Sequence, residues 1–478
     1  MIRIRAQAGH PSAKPLNEVL RMRIVRIFFT LLIGLAAPLL QAEQPPILDP
    51  AFNPLLREKI AGDLYGYRPK VEENGISLFA QSVTDMLWNT VGGNSTGSAC
   101  DGLVQFGMEI DLAKTVGLPG GRFKNSWFWL YGRNPSNYVG DVNGVSGISG
   151  LPSFRCYELW YEQNVMEDAL SLRGGLLGLD SEFCYPETAL LFMNGSFGMP
   201  ALMSQNLVNS GPQYPMATPG IRLAVRPVSW LTLRSAFSQA NPFPQSENLH
   251  NFNWNFGSSG GLLSMNEAEA RWESLLKERK LPGSAKAGFF IQSGQSPAVP
   301  DKWSFGPPDS LQYCTGFYGI IDQMLYRAPG QDEAPSKNPV TDKSVVDGKG
   351  ADGKSSASEA PVRGLNSWLR LGFCPQSYNP LSIYTDGGLV YTGLIPGREE
   401  DKTGIAFCYG QVSSGYMNLA NAQGIPGPSF EAVIELTHSF RLAPAIALQP
   451  DIQYVMHPGG TQQNGNALVV GMRAVVDF

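Results

Sequence analysis

The residues able to do chemistry in this chain fall into two groups: short motif matches that stand alone, and charges that recur at every second position. Gly348 to Ser355 reads GKGADGKS and fits the G-x-x-x-x-G-K-S phosphate loop. That loop works by presenting backbone N–H groups between a strand and a helix. This copy lies in residues 328–363, rich in Lys, Asp, Ser, Gly and Pro, a composition that cannot bury a core and is expected to be disordered. Gly93 to Gly97, GNSTG, fits G-x-S-x-G but sits in a glycine-rich loop without the strand-to-helix turn that exposes a nucleophile. The four histidines, His10, His250, His438 and His457, are dispersed and form neither a nucleophile–base pair nor a metal-ligand spacing. No enzyme activity, metal or cofactor is expected.

The recurring charges are more orderly. Arg222 and Arg226 alternate with Ile221, Leu223 and Val225, and Arg234 with Leu231, Leu233 and Phe237. Glu267, Glu269 and Arg271 alternate with Ala268, Ala270 and Trp272. Arg370 and Cys374 alternate with Leu369, Leu371 and Phe373, and Glu431 and Glu435 with Ala432, Ile434 and Leu436. Arg173 falls on the less apolar face of 169–180, and Arg473 alternates with Met472 and Ala474. Glu109, Asp111, Asp451 and Gln453 follow the same rule. A period of two marks a strand with one oily and one wet face. Guanidinium donors facing carboxylate acceptors would suit a hydroxylated solute. The same groups could equally solvate a channel or brace its wall with ion pairs, and alternation alone does not separate these roles.

The elements that must carry these faces are strands. Sixteen spans have the pattern: 75–88, 101–113, 122–133, 154–166, 169–180, 217–227, 230–240, 261–273, 284–294, 311–327, 364–376, 380–395, 402–415, 427–441, 444–456 and 466–478. Most run to 11 residues or more, near the 9–11 a tilted strand needs to cross a bilayer. Connections after even-numbered spans are mostly short, as at 166–168 and 443–444, and those after odd-numbered spans are mostly long, as at 134–153, 181–216 and 241–260. A bacterial barrel has this parity, with periplasmic turns and external loops. Two even-to-odd connections depart from it, the helix-prone 273–283 and the low-complexity 328–363. The loop 181–216, with Phe183, Phe192, Asn194 and Phe197, is the candidate to fold inward as a constriction.

Composition agrees. Charged residues make up 16% against roughly 25% in an average soluble domain, and Gly (53) and Pro (36) are plentiful, as many turns require. Net charge is −5 with no basic stripe, so nucleic acid is not an expected partner. Arg21, Arg23 and Arg26 precede the apolar run Ile27 to Leu40, and Leu40-Gln41-Ala42 ends it, so residues 1–42 read as a leader and signal peptide, with Met22 a candidate start. That run is shorter than a membrane-spanning helix, and a membrane-embedded chain without such helices must close its sheet into a barrel. The expected organisation is therefore all-β: a transmembrane antiparallel barrel over 74–478 after a periplasmic segment, 43–73, in which 53–60 forms a brief helix.

Three stretches resemble the OprB family of carbohydrate-selective porins. They are GDLYGYRPKVEENGI (Gly62 to Ile76, with Leu64 where the family often has Trp), GLLGLDSEFCYPETALLFMNGSFG (Gly175 to Gly198), and LQPDIQYVMHPGG through GMRAVVDF (Leu448 to Phe478). The resemblance implies a monomeric sixteen-stranded outer-membrane porin passing carbohydrates by diffusion, lined by arginines and acidic groups; by motif it carries over Arg473 alone.

The six cysteines depart from the family, in which cysteines are few. In an oxidising envelope an even count points to disulfides. Cys314 and Cys374, both inward and near the outer ends of adjacent strands, are the candidate pair. Free thiols and intermolecular links are the alternatives, the latter giving a cross-linked structural or adhesive surface barrel with a general pore. The last strand, Asn466 to Phe478, ends on an aromatic as outer-membrane sorting signals do, so the barrel assembly machinery joins outer-membrane lipids and carbohydrate solutes as expected partners. Deleting Phe478 is expected to lower the heat-modifiable fraction in outer membranes while leaving the conductance of assembled molecules unchanged.

Overall fold

The computed structural model describes residues 54–255, 260–272, 281–293, 314–329, 362–376, 379–422, 424, 427 and 429–478. The leader, most of the charged 273–283 connection and nearly all of the expected disordered insertion with its phosphate-loop match lie outside them.

Alternation closes the chain into one sheet. The sixteen strands are β1 Ile76–Val91, β2 Gly97–Asp111, β3 Gly121–Gly132, β4 Ser153–Val165, β5 Leu170–Leu177, β6 Thr218–Val228, β7 Leu231–Gln239 and β8 Leu262–Trp272, followed by β9 Gly283–Ser293, β10 Cys314–Arg327, β11 Gly364–Phe373, β12 Leu381–Thr392, β13 Lys402–Val412, β14 Phe430–Ala443, β15 Ile446–Met456 and β16 Ala467–Asp477. Each pairs with its sequence neighbours, and β1 closes the barrel against β16. The outward rows are apolar and exposed, as in Leu369, Leu371 and Phe373 of β11, while Trp368 and Arg370 on the alternate positions are buried. The terminal strand obeys the same rule: Val469, Arg473 and Val475 are buried.

Turn parity holds for most connections; the exceptions are the long even-to-odd connections 273–282 and 328–363 and the short odd-to-even turn 92–96. Tight turns close β4–β5 at 166–169, β6–β7 at 229–230 and β14–β15 at 444–445. β1 and β2 are longer than the alternation indicates, so the GNSTG stretch closes a five-residue turn, 92–96, at the end where the other odd-to-even connections are long. Gly92 and Gly93, at φ 71° and 64°, make that turn.

The seam is fastened at the turn end. The Phe478 N–H donates to Ala80 O at 2.9 Å and the Ile60 N–H to Asp477 O at 2.9 Å. The expected helix over 53–60 is only a short 3-10 turn, Pro54–Leu56, and the helix forms instead at Tyr67–Glu73. Pro69 falls in its first turn, where a missing N–H costs nothing. Arg68 on this helix donates to Gly62 O at 2.5 Å and Phe478 O at 3.1 Å, tying the segment to the end of the last strand. At Gly471 the seam leaves no room for a side chain, since a Cβ would lie 2.0 Å from Met86 O.

The interior is less polar than alternation implies. Two long connections, 133–152 and 178–217, enter the barrel with apolar residues of their own. Phe183, Phe192, Phe197, Leu202 and Leu207 pack on Met265, Phe290, Trp368 and Tyr384 of the wall. Phe192, Phe197 and Trp368 form a triangle of rings with centroids 5.1–5.9 Å apart.

Leu369 lies in the middle of β11 on the outward face. Leu369→Arg is expected to lower unfolding free energy in lipid by about 2–4 kcal/mol, the cost of a cation facing the midplane of the bilayer. Wild-type urea sensitivity of that variant would mean the faces are misassigned.

Candidate solute channel

A loop inside a barrel brings buried backbone donors and acceptors that must be satisfied. Here the wall supplies the partners. Glu431 accepts from the N–H groups of Val142, Asn143 and Gly459 at 2.9, 2.8 and 2.6 Å, and from Asn143 Nδ2 at 2.6 Å. Glu435 accepts from the Met193 and Asn194 N–H groups at 2.6 and 3.0 Å. Glu267 accepts from the Cys184 N–H at 2.9 Å and from Tyr318 Oη at 2.9 Å. Asp322 accepts from the Thr188 N–H at 2.8 Å and its hydroxyl at 2.5 Å. Ser146 donates to Asp85 at 2.8 Å and Asp101 at 3.0 Å, and Ser149 donates to Asp101. Arg370 serves the acceptors: it donates to the carbonyls of Cys184, Ser196 and Gly198 at 2.5, 2.6 and 2.7 Å while paired with Asp386.

The remaining inward arginines form rows across the strands. Register places Glu162 of β4 beside Arg173 of β5, and Arg173 beside Arg222 of β6. Arg173 reaches Glu162 at 2.6 Å and Glu182 at 2.5 Å, and Arg222 reaches the same two carboxylates at 2.5 and 2.8 Å. The Arg173 guanidinium lies 3.9 Å from the centre of the Trp160 ring. Arg122 and Lys124 of β3 continue the row, to Glu109 at 3.3 Å and Glu158 at 3.2 Å. A second row joins Arg234 to Glu269 and Glu267 at 2.7 and 3.2 Å, and Arg271 to Glu269 and Glu187 at 2.7 and 3.0 Å. Arg473 pairs with Asp85 at 2.7 Å across the seam.

Of the seven inward arginines singled out in the sequence, six are thus ion-paired. The seventh, Arg226, donates to Asp168 O at 2.7 Å and lines a cavity of about 400 Å³ at the turn end, with Asp111, Arg122, Glu162, Asn164 and Asp168. Glu431 and Glu435 depart from the pattern of arginine facing carboxylate, because their oxygens are taken by loop backbone. Several partners were open to the same alternation: Glu158 and Glu162 flank Leu159 and Tyr161, and Asp386 lies inward beside Arg370. Glu182 and Glu187 lie in a connection, where no strand period reports them.

A closed sixteen-stranded antiparallel barrel, apolar outside and charged within around infolded loops, is an outer-membrane porin. The chain belongs to the carbohydrate-selective porin family OprB, whose sequence profile matches residues 95–478. It is 23% identical over 466 residues to Porin B of Pseudomonas aeruginosa, covering 90% of this chain and 93% of that one. Its fold is similar to the high-pH structure of Pseudomonas putida OprB, with a TM-score of 0.72 and 20% identity over 88% of this chain and 99% of that one. The low-pH structure of the same protein gives a TM-score of 0.52 and 15% identity over the same shares. The protein is therefore a porin of the bacterial outer membrane for carbohydrates, of a family and fold built as channels.

Glu435→Ala removes the acceptor for two buried N–H groups, each worth about 1–3 kcal/mol when left unsatisfied. Amide hydrogen exchange at Met193 and Asn194 is expected to rise at least about tenfold, with the strands still protected. Unchanged exchange would show that Glu435 does not hold this loop.

Proposed function

We propose that carbohydrates cross this barrel by passive diffusion, along a lumen whose polar lining is made of paired arginines and carboxylates. The observation that carries this reading is the row on β2–β6, where Arg122, Lys124, Arg173 and Arg222 are balanced by Glu109, Glu158, Glu162 and Glu182 and lead to the cavity beside Arg226. Such a row offers donors and acceptors side by side with little net field, which suits a neutral polyol better than an ion. Arg173, Arg222, Arg226, Arg234, Glu267, Glu269, Arg271 and Arg473 contribute to the lining. Arg370, Glu431 and Glu435 act on it indirectly, by holding the infolded loops in place.

In the proposed orientation the turn end faces the periplasm, and the segment 43–73 is periplasmic after a cleaved leader over 1–42. The outward apolar rows meet outer-membrane lipid, and β16 with Phe478 is the part offered to the assembly machinery. An extensively cross-linked adhesive barrel is disfavoured, because Cys100 is exposed while the other five cysteines are buried.

Liposomes containing the purified protein are expected to swell in glucose several-fold faster than empty vesicles, with sugar titration reducing ion current in planar bilayers. Swelling no faster than in empty vesicles would reject the carbohydrate channel. Swelling without any sugar-dependent change in current would leave only a general pore.

A further inference from the structure

We propose that Cys314 and Cys374 are joined by a disulfide in the mature protein, stapling the loop ends of β10 and β11. Cys314 opens β10 and Cys374 follows the last residue of β11, and both are buried, at 5% and 0% exposure. The β10–β11 ladder ends on the pair Phe317–Phe373, so Cys374 is the next residue, on the Gly316 side. Gly316 leaves its inward position vacant, and the Cys374 sulfur occupies it: a Cβ on Gly316 would lie 2.6 Å from Sγ. That places the sulfur toward Cys314, two residues along β10, and both cysteines are free thiols in the structure. Cys374 is past the end of β11, and its N–H is held by Ser382 O at 2.8 Å rather than by β10. The sulfurs can therefore close to bonding distance without breaking the ladder.

The chemistry requires an oxidant, and the compartment defines its class. An outer-membrane chain passes through the periplasm, where thiol oxidases carry a reactive disulfide. One cysteine thiolate attacks that disulfide and displaces one oxidase sulfur, giving a mixed disulfide. The second cysteine thiolate then attacks the porin sulfur of the mixed disulfide. The porin S–S bond forms, and the oxidase leaves as a dithiol carrying the two electrons and two protons. Burial of both residues in the closed barrel places this exchange before the strands close.

The staple bears on the channel through what docks beside it. Leu202 of the infolded connection lies over Gly372, where a Cβ would be 2.6 Å from Leu202 Cδ2. Asn206 exchanges two hydrogen bonds with the Leu381 backbone, at 2.8 and 3.0 Å. The helix Ala201–Asn206 thus rests on both sides of Cys374.

The test uses full-length protein extracted from outer membranes without reductant, denatured in iodoacetamide and digested with trypsin. The expected product is residues 303–327 joined to residues 371–398, released by reduction, with the other four cysteines alkylated. Six alkylated cysteines, or either residue joined to a different cysteine, would overturn the proposal. In Cys314→Ser, Cys374 is expected to be fully alkylated; Cys374 still cross-linked in that variant would also overturn it.

Discussion

Every peptide unit folded into a barrel needs a hydrogen-bond partner there, and in this protein the wall provides it with charged side chains. A neutral hydroxyl or amide oxygen can accept from at most about two N–H groups, whereas a carboxylate can accept from several at once. Glu431 gathers three N–H groups and an amide from two separate connections, and Arg370 collects three carbonyls. The positions of loops 133–152 and 178–217, and with them the shape of the lumen, follow from these few residues. Removing one leaves several buried polar groups unsatisfied together, so these contacts act as hinges of the channel rather than as isolated bonds.

The same economy explains why so few inward charges are free. A lone guanidinium in a narrow lumen is costly to desolvate, and a paired one is tolerated when its remaining donors are also used. Arg173 and Arg222 share two carboxylates, and Arg173 stacks on Trp160. In the proposed channel, a lining assembled this way would carry little net charge and leave edges able to meet hydroxyl groups. Arg226, at the mouth beside the open cavity, is held by a single backbone carbonyl and is the least committed of the set.

The exterior of the barrel was legible in the sequence because lipid enforces a strict period of two. Leu369, Leu371 and Phe373 report their face without knowledge of any neighbour. The interior was legible only in kind. Arg222 finds Glu162 across an intervening strand, and that meeting depends on the register of three strands at once. The infolded connections obey another spacing. Val139, Val142, Val145 and Ile148 are all buried and recur every third residue in a glycine-rich stretch, a ridge that neither strand nor α-helix periodicity detects. Glu431 and Glu435 looked like pore lining because alternation gives direction and not partner; their acceptors' work is with backbone some 240 to 290 residues away in sequence.

The infolded β5–β6 connection is proposed to narrow the carbohydrate channel. Replacing residues 182–210 with a short Gly-Ser linker and measuring liposome swelling over a ladder of oligosaccharides tests it. A heat-modifiable barrel that now admits tetrasaccharides excluded by the wild type, and no longer favours the smallest sugars, is the predicted result. A folded barrel with the wild-type size limit would contradict it, because the passage would then be narrowed elsewhere.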